Sequence, residues 1–202
     1  LRHNMGASSA TPVEKLRDKK WVEANGHTVS IMDYARFNYV AQPEDNISPK
    51  GIYPRIGMYD KWAVKWGYTY YPNAEDEFEE EKTLAKLTTE SLTANPKLWF
   101  GGEGKDEDPR SQSEDLGDDS VLASDYGIKN LKRVVPNLIQ WTYQPNDAYD
   151  NLSDMHKAVV SQYSRYLYHV LKNIGNNYVT KRTVDEKGAF YQPIPKAKIK
   201  AS

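Results

Sequence analysis

The sequence predicts a mainly α-helical fold with a few short strands, an α+β chain in which helices dominate. Three observations carry that expectation. Residues 152–175 place Met155, Val159, Tyr163, Tyr166, Leu167 and Val170 at helical spacing, with Ser153 as the expected N-cap and Gly175 as the expected C-cap. Residues 74–93 open on a carboxylate run that suits the positive end of a helix dipole, and Phe78, Leu84, Leu87 and Leu92 offer one apolar side. A third helix is expected to begin near Asp119 or Ser120 and to run through VLASDYGIKNLKRVV until Pro136 kinks or breaks it.

The remaining elements follow in chain order. Residues 1–50 lack strong periodicity. VEKLRDKKW (13–21) suits a short helix or turn, and HTVSIMDYARF (27–37) begins β-like and then tightens. NISPKGIYP (46–54) reads as a loop, with two prolines and a glycine. In IGMYDKWAVKWGY (56–68), Tyr59, Trp62, Ala63 and Trp66 share a helical face and Gly67 is a plausible stop. KLWFGGEG (97–104) is expected to form a short strand and a turn. KDEDPRSQSEDLGDD (105–119) is an acidic loop, and NLIQWTY continues the helical path beyond Pro136. NYVTKRTV and GAFYQPI (177–184 and 188–194) can pair as a hairpin around DEKG. There is no internal repeat.

Composition bounds the function. The 202 residues suit one domain, or one domain with an appendage. Fifteen tyrosines and five tryptophans argue against disorder, although the mean hydropathy is −0.80. A formal charge of −1 with no basic stripe gives no electrostatic case for nucleic acid. The absence of cysteine excludes disulfides, thiolate metal knuckles and a cysteine nucleophile. No run approaches the roughly 20 apolar residues that span a bilayer. No signal-peptide pattern stands at Leu1, and a chain opening on Leu rather than Met is expected to be an excised piece.

Two short stretches bear on chemistry. LRHNMG places His3 near the start, and SIMDY (30–34) holds Met32 with Tyr34 two residues later. One class of zinc protease takes two ligands from H-E-x-x-H, turns at a glycine and adds a third histidine; a methionine-bearing turn then forms the floor below the metal. His3 suits that third histidine, or a surface or packing residue. Met32 suits the floor, or a strand end with Ile31 in a core. Tyr34, beside such a site, would bring a phenolic donor toward charge developing on a substrate oxygen.

At these residues the sequence resembles the metzincin clan of zinc metallopeptidases. SIMDY is similar to the Met-turns of the astacin and serralysin branches. More closely, the chain resembles the C-terminal part of the large bacterial zinc-dependent proteases of the Met-zincin family. The runs LRHNMGAS, SIMDYARFNYVAQPED, IGMYDKWAVKWGY, and DPRSQSEDLGDD with the helix after it carry the likeness over most of residues 1–195. The resemblance implies that His3 is a zinc ligand, Met32 the Met-turn residue, and Tyr34 the phenol that ligates zinc or steadies the transition state. It implies Zn2+ as cofactor of the intact protein, peptide or protein substrates, and an extracytoplasmic location (periplasm, envelope or secreted). It also implies that residues 1–50 complete the lower catalytic subdomain and residues 51–202 form a helical extension on it, ending in the hairpin. H-E-x-x-H is not in this chain, so the chain by itself is expected to be inactive and metal-free.

Other candidates weigh less. His27 is expected to be a surface turn residue rather than a partner of a metal ligand. His156 and His169 are too far apart on one helix for the i, i+4 pairing of helical zinc ligands, and are expected to be structural or exposed. The acids Asp106, Glu107, Asp108, Glu114, Asp115, Asp118 and Asp119 do not fit an EF-hand, so a solvated loop with helix-capping acids is preferred to a calcium site. Glu75 to Glu81 reads as a solvated helix start. No G-x-S-x-G and no phosphate-cradling glycine loop occurs. The rival readings are a non-catalytic homologue and a helical module binding glycans or a protein.

Overall fold

The computed structural model describes residues 3–4, 6–102, 107–182 and 187–202. Its helices are α1 (Lys19–Asn25), α2 (Pro49–Ile52), α3 (Met58–Tyr68), α4 (Glu77–Ala94), α5 (Ser120–Val134), α6 (Leu138–Thr142), α7 (Asp150–Leu171) and α8 (Lys196–Ala201). Strands β1 (Asn177–Val179) and β2 (Tyr191–Pro193) pair antiparallel, with Asn177 opposite Pro193 and Val179 opposite Tyr191. The chain is therefore mainly helical with one two-stranded sheet among the described residues. Part of the DEKG turn expected for the hairpin, residues 185–186, lies outside them.

Side-chain caps explain several helix starts. Asp18 accepts from Trp21 N at 3.0 Å at the head of α1. Asp76 accepts from Phe78 N and Glu79 N, which starts α4, and Asp119 accepts from Val121 N and Leu122 N, which starts α5. Pro136 ends α5 as expected: a 3₁₀ turn over Val135–Asn137 leads into α6. The strand expected over 97–104 is absent from its described part. Pro96–Leu98 form a 3₁₀ turn, because Asn95 Oδ1 accepts from Lys97 N, and residues 99–102 run on without a strand partner; residues 103–104 lie outside the described set.

Two helix ends also differ from expectation. α7 starts at Asp150, and Ser153 donates its N–H to Tyr149 O inside the first turn instead of capping it. The helix ends at Leu171, short of Gly175, whose φ of +78° lies in the loop beyond. On α4 the apolar side is weaker than the leucine spacing suggests. Phe78 is 67% exposed, and no α4 residue is fully buried. Trp66 Nε1 donates to Thr88 Oγ1 at 3.0 Å and ties α3 to α4.

Two apolar clusters form among the described residues. The first joins Val13, Leu16, Ala35, Tyr39 and Val40 to Leu116, Ala123 and Tyr166. The Tyr39 and Tyr166 rings lie 4.8 Å apart. Gly127 allows α5 and α7 to cross closely, since a Cβ there would meet the Tyr166 ring at 2.6 Å. The second cluster contains Ala7, Val29, Tyr59, Trp62 and Leu98. Gly57 permits the head of α3 to sit against Val29, whose carbonyl accepts from Tyr59 N at 3.0 Å; a Cβ at Gly57 would stand 2.0 Å from that carbonyl oxygen.

The acidic loop departs from its expected solvation. Asp108, Glu114 and Asp115 are buried. Each has partners that offset desolvation. Asp108 binds the Arg110 guanidinium and accepts from Val179 N at 2.7 Å. Glu114 sits between Arg36, at 2.8 Å, and Arg165. Asp115 accepts from Tyr39 Oη at 3.1 Å and from Leu116 N at 2.9 Å, while burial pushes its carboxyl above the ordinary range. His169 is buried too, with Nε2 3.0 Å from Ser113 O, whereas His156 is exposed. Asp119 does cap a helix, as the sequence suggests. Asp106 lies outside the described residues.

Candidate functional site

His3 belongs to no helix or strand, so its neighbours determine where it lies. Asn4, fully buried, donates from Nδ2 to Trp99 O at 2.7 Å. Its Oδ1 accepts from Gly6 N at 3.0 Å and Gly101 N at 2.8 Å. Gly6 packs directly against the Trp99 ring, where a Cβ would come within 2.1 Å of it. The Arg110 guanidinium extends this platform, 4.3 Å from the Trp99 centroid and 4.6 Å from that of Tyr178. The loop that carries His3 is thus built into the body of the protein by polar bonds and close packing together.

SIMDY forms a turn, as the tightening expected within residues 27–37 suggests, while the β-like start expected before it is absent at residues 27–30; side chains capture the amides of the turn locally. Ser30 N approaches Thr28 Oγ1 at 3.4 Å, and Met32 N donates to Ser30 Oγ at 3.0 Å. Asp60, in the first turn of α3, accepts from Ser30 Oγ at 2.6 Å, from Ile31 N at 3.0 Å and from Gly57 N at 2.7 Å. One carboxylate therefore caps α3 and holds the turn. Tyr34 follows with φ of +46°, in the left-handed region that a bulky residue rarely adopts.

This geometry brings His3 and Tyr34 together. Their rings stack with centroids 5.2 Å apart and planes inclined by 21°. Tyr34 is 52% exposed. His3 is half-buried, and its Nδ1 is shut away from solvent without a hydrogen-bond partner among the described residues. Met32 lies half-buried in the turn just before Tyr34. Asp33, between them, is fully buried; its Oδ2 accepts from Ser8 N at 2.7 Å, and burial pushes its carboxyl well above the usual carboxylate range.

His27 corrects an expectation. It is not a surface turn residue but fully buried, and neither ring nitrogen has a partner among the described residues. The chain turns inward at Gly26 (φ +83°), and Arg55 closes over that glycine while donating to Glu23 O. Burial, with Arg55 adding a smaller effect, lowers the imidazole pKa to about 4. The ring is neutral near neutral pH.

A catalytic zinc site takes three protein ligands and leaves a position open for water. The described residues bring together no group of three or more His, Cys, Asp and Glu side chains able to hold a metal ion. What they do offer is an imidazole with one nitrogen occluded, next to an exposed phenol. That donor set fits one side of a zinc site and not a whole one. Of the residues singled out by motif, His3 and Tyr34 meet and Met32 lies in the same turn as Tyr34. Motif reading misses Asn4, Asp33 and Asp60, although the Asp33 within SIMDY and the Asp60 three residues after Gly57 are visible signals for turn and cap.

A family model described as Met-zincin matches residues 1–202. No curated protein and no solved structure matches the chain.

Proposed function

The chain belongs to the Met-zincin family and so is related to metallopeptidases, and from that premise we propose that it forms one side of the zinc centre of a metalloendopeptidase. The stacking of His3 on Tyr34 carries this reading, because it joins two residues far apart in sequence that the family resemblance assigns to one site. His3 Nε2 would hold the metal. The Tyr34 hydroxyl would donate to the oxygen on which negative charge builds as a scissile carbonyl becomes tetrahedral. Met32 would form the apolar floor. Zinc, when bound, supplies polarisation of the carbonyl and activation of water.

Two further histidines and a general-base glutamate belong to an H-E-x-x-H helix that this sequence does not contain. The 202-residue chain alone is therefore proposed to be inactive and unable to retain catalytic zinc. Residues 1–50 take the catalytic role and residues 51–202 the supporting one. Substrates are peptides or proteins, and the working location is extracytoplasmic, both inferred from the family. Among the described residues, no helix is long and apolar enough to cross a membrane.

The test is His3→Ala in the natural full-length protein. Zinc content and peptide hydrolysis should fall together. Unchanged activity would reject the ligand role, and a full-length protein with neither zinc nor hydrolysis before mutation would favour the non-catalytic homologue.

A further inference from the structure

We propose that Asp33 is the positioning residue of this site, a latch whose bond to the Ser8 amide sets the His3–Tyr34 pair. The proposal rests on the reading of His3 and Tyr34 given above and deepens it. No helix or strand passes through residues 26–42, so no ladder of backbone bonds holds the turn that presents Tyr34. Side chains hold it instead. Asp60 secures its entry, at Ser30 and Ile31, to α3. Asp33 secures its exit to the loop that follows His3, through Ser8 N at 2.7 Å. On the other flank of that loop, Asn4 is bonded to Trp99 and Gly101.

His3 and Tyr34 thus sit on two separately anchored segments, and the Asp33–Ser8 bond joins one segment to the other at the residue before Tyr34. Asp33 immediately precedes Tyr34, whose left-handed backbone must be imposed by its surroundings. Both ends of the bond are buried, so water does not compete for it. Releasing the carboxylate frees the exit of the turn while Asp60 still holds its entry. The predicted consequence is a loss of ring registry without loss of the fold.

The experiment uses the 202-residue chain, with nuclear Overhauser contacts between the His3 and Tyr34 rings as the readout and no metal present. Asp33→Ala should abolish these contacts. Asp33→Asn, which keeps an oxygen able to accept from Ser8 N, should restore them. Val22→Ala, a cavity in α1 remote from the latch, should lower stability and leave them intact. Persistent contacts in folded Asp33→Ala would overturn the proposal, as would their loss in Val22→Ala. Should Asp33→Ala not fold, exchange of the Ser8 amide in the wild type decides: protection comparable to the Val22 amide supports the latch, and free exchange overturns it. In the full-length protein Asp33→Ala should weaken zinc roughly 10- to 100-fold, in the range for groups that orient a metal ligand. Failure of His3→Ala to alter zinc there refutes the ligand reading, while the ring contacts in the 202-residue chain still decide for or against the latch.

Discussion

Replacing His27 with leucine should remove an acid sensitivity built into the fold. The wild-type imidazole is buried without a partner among the described residues, and its pKa falls from 6.5 to about 4, chiefly through burial and then through Arg55. In the unfolded chain the ring takes a proton at the ordinary value, so on acidification the unfolded state binds it first. The stabilisation from keeping His27 neutral is complete above 6.5 and is lost as pH falls toward 4. The gap of about 2.5 pH units corresponds to about 3 kcal/mol at roughly 1.4 kcal/mol per unit. Burial of Asp33 and Asp115 raises their pKa values and acts with the opposite sign, but it is common to both proteins and cancels in the comparison. Urea unfolding from neutral pH down to about pH 4 measures the effect. Wild type should lose about 3 kcal/mol more than His27→Leu over that interval. Parallel pH profiles, or a His27 ring that titrates near 6.5 by NMR, would refute the argument.

Three further outcomes follow from the same geometry. In the full-length protein Tyr34→Phe should keep zinc and the stacked ring while lowering kcat by roughly 10²- to 10³-fold, the range for losing one oxyanion donor; steady-state kinetics with metal analysis checks this. Gly57→Ala drives a methyl group against the Val29 carbonyl and should cost about 1–3 kcal/mol by chemical denaturation. Asp60→Ala removes the cap of α3 and the partners of Ser30 and Ile31 together, and a loss of about 1–3 kcal/mol should be accompanied by faster hydrogen exchange at Ile31.

The helices are legible in the sequence because their signals are local. Asp76 and Asp119 each sit one residue before a periodic run, and a cap acts on amides two or three residues away. The proposed site residues rest on a different kind of signal: SIMDY and the histidine of LRHNMG resemble a motif in which residue type and order are constrained by a metal. Several of the departures depend on partners distant in sequence. The acids at 108, 114 and 115 look solvated until Arg36, Tyr39, Arg165 and Val179 arrive from elsewhere in the chain. Residues 97–102 look like a strand until Asn4 takes the amide of Gly101 and the carbonyl of Trp99. His27 looks like a turn residue because nothing in NGHT reveals that Arg55 covers the turn. Asp33 is in plain view, but its partner, the amide of Ser8, belongs to a loop whose path no local pattern encodes.

The most direct measurement is an anomalous-scattering map, recorded at the zinc edge, of crystals of the natural full-length protein. The account predicts a peak about 2.0–2.1 Å from Nε2 of His3, with the Tyr34 ring stacked alongside and Met32 below. A peak ligated by other side chains, or one reached through Nδ1 of His3, would contradict it.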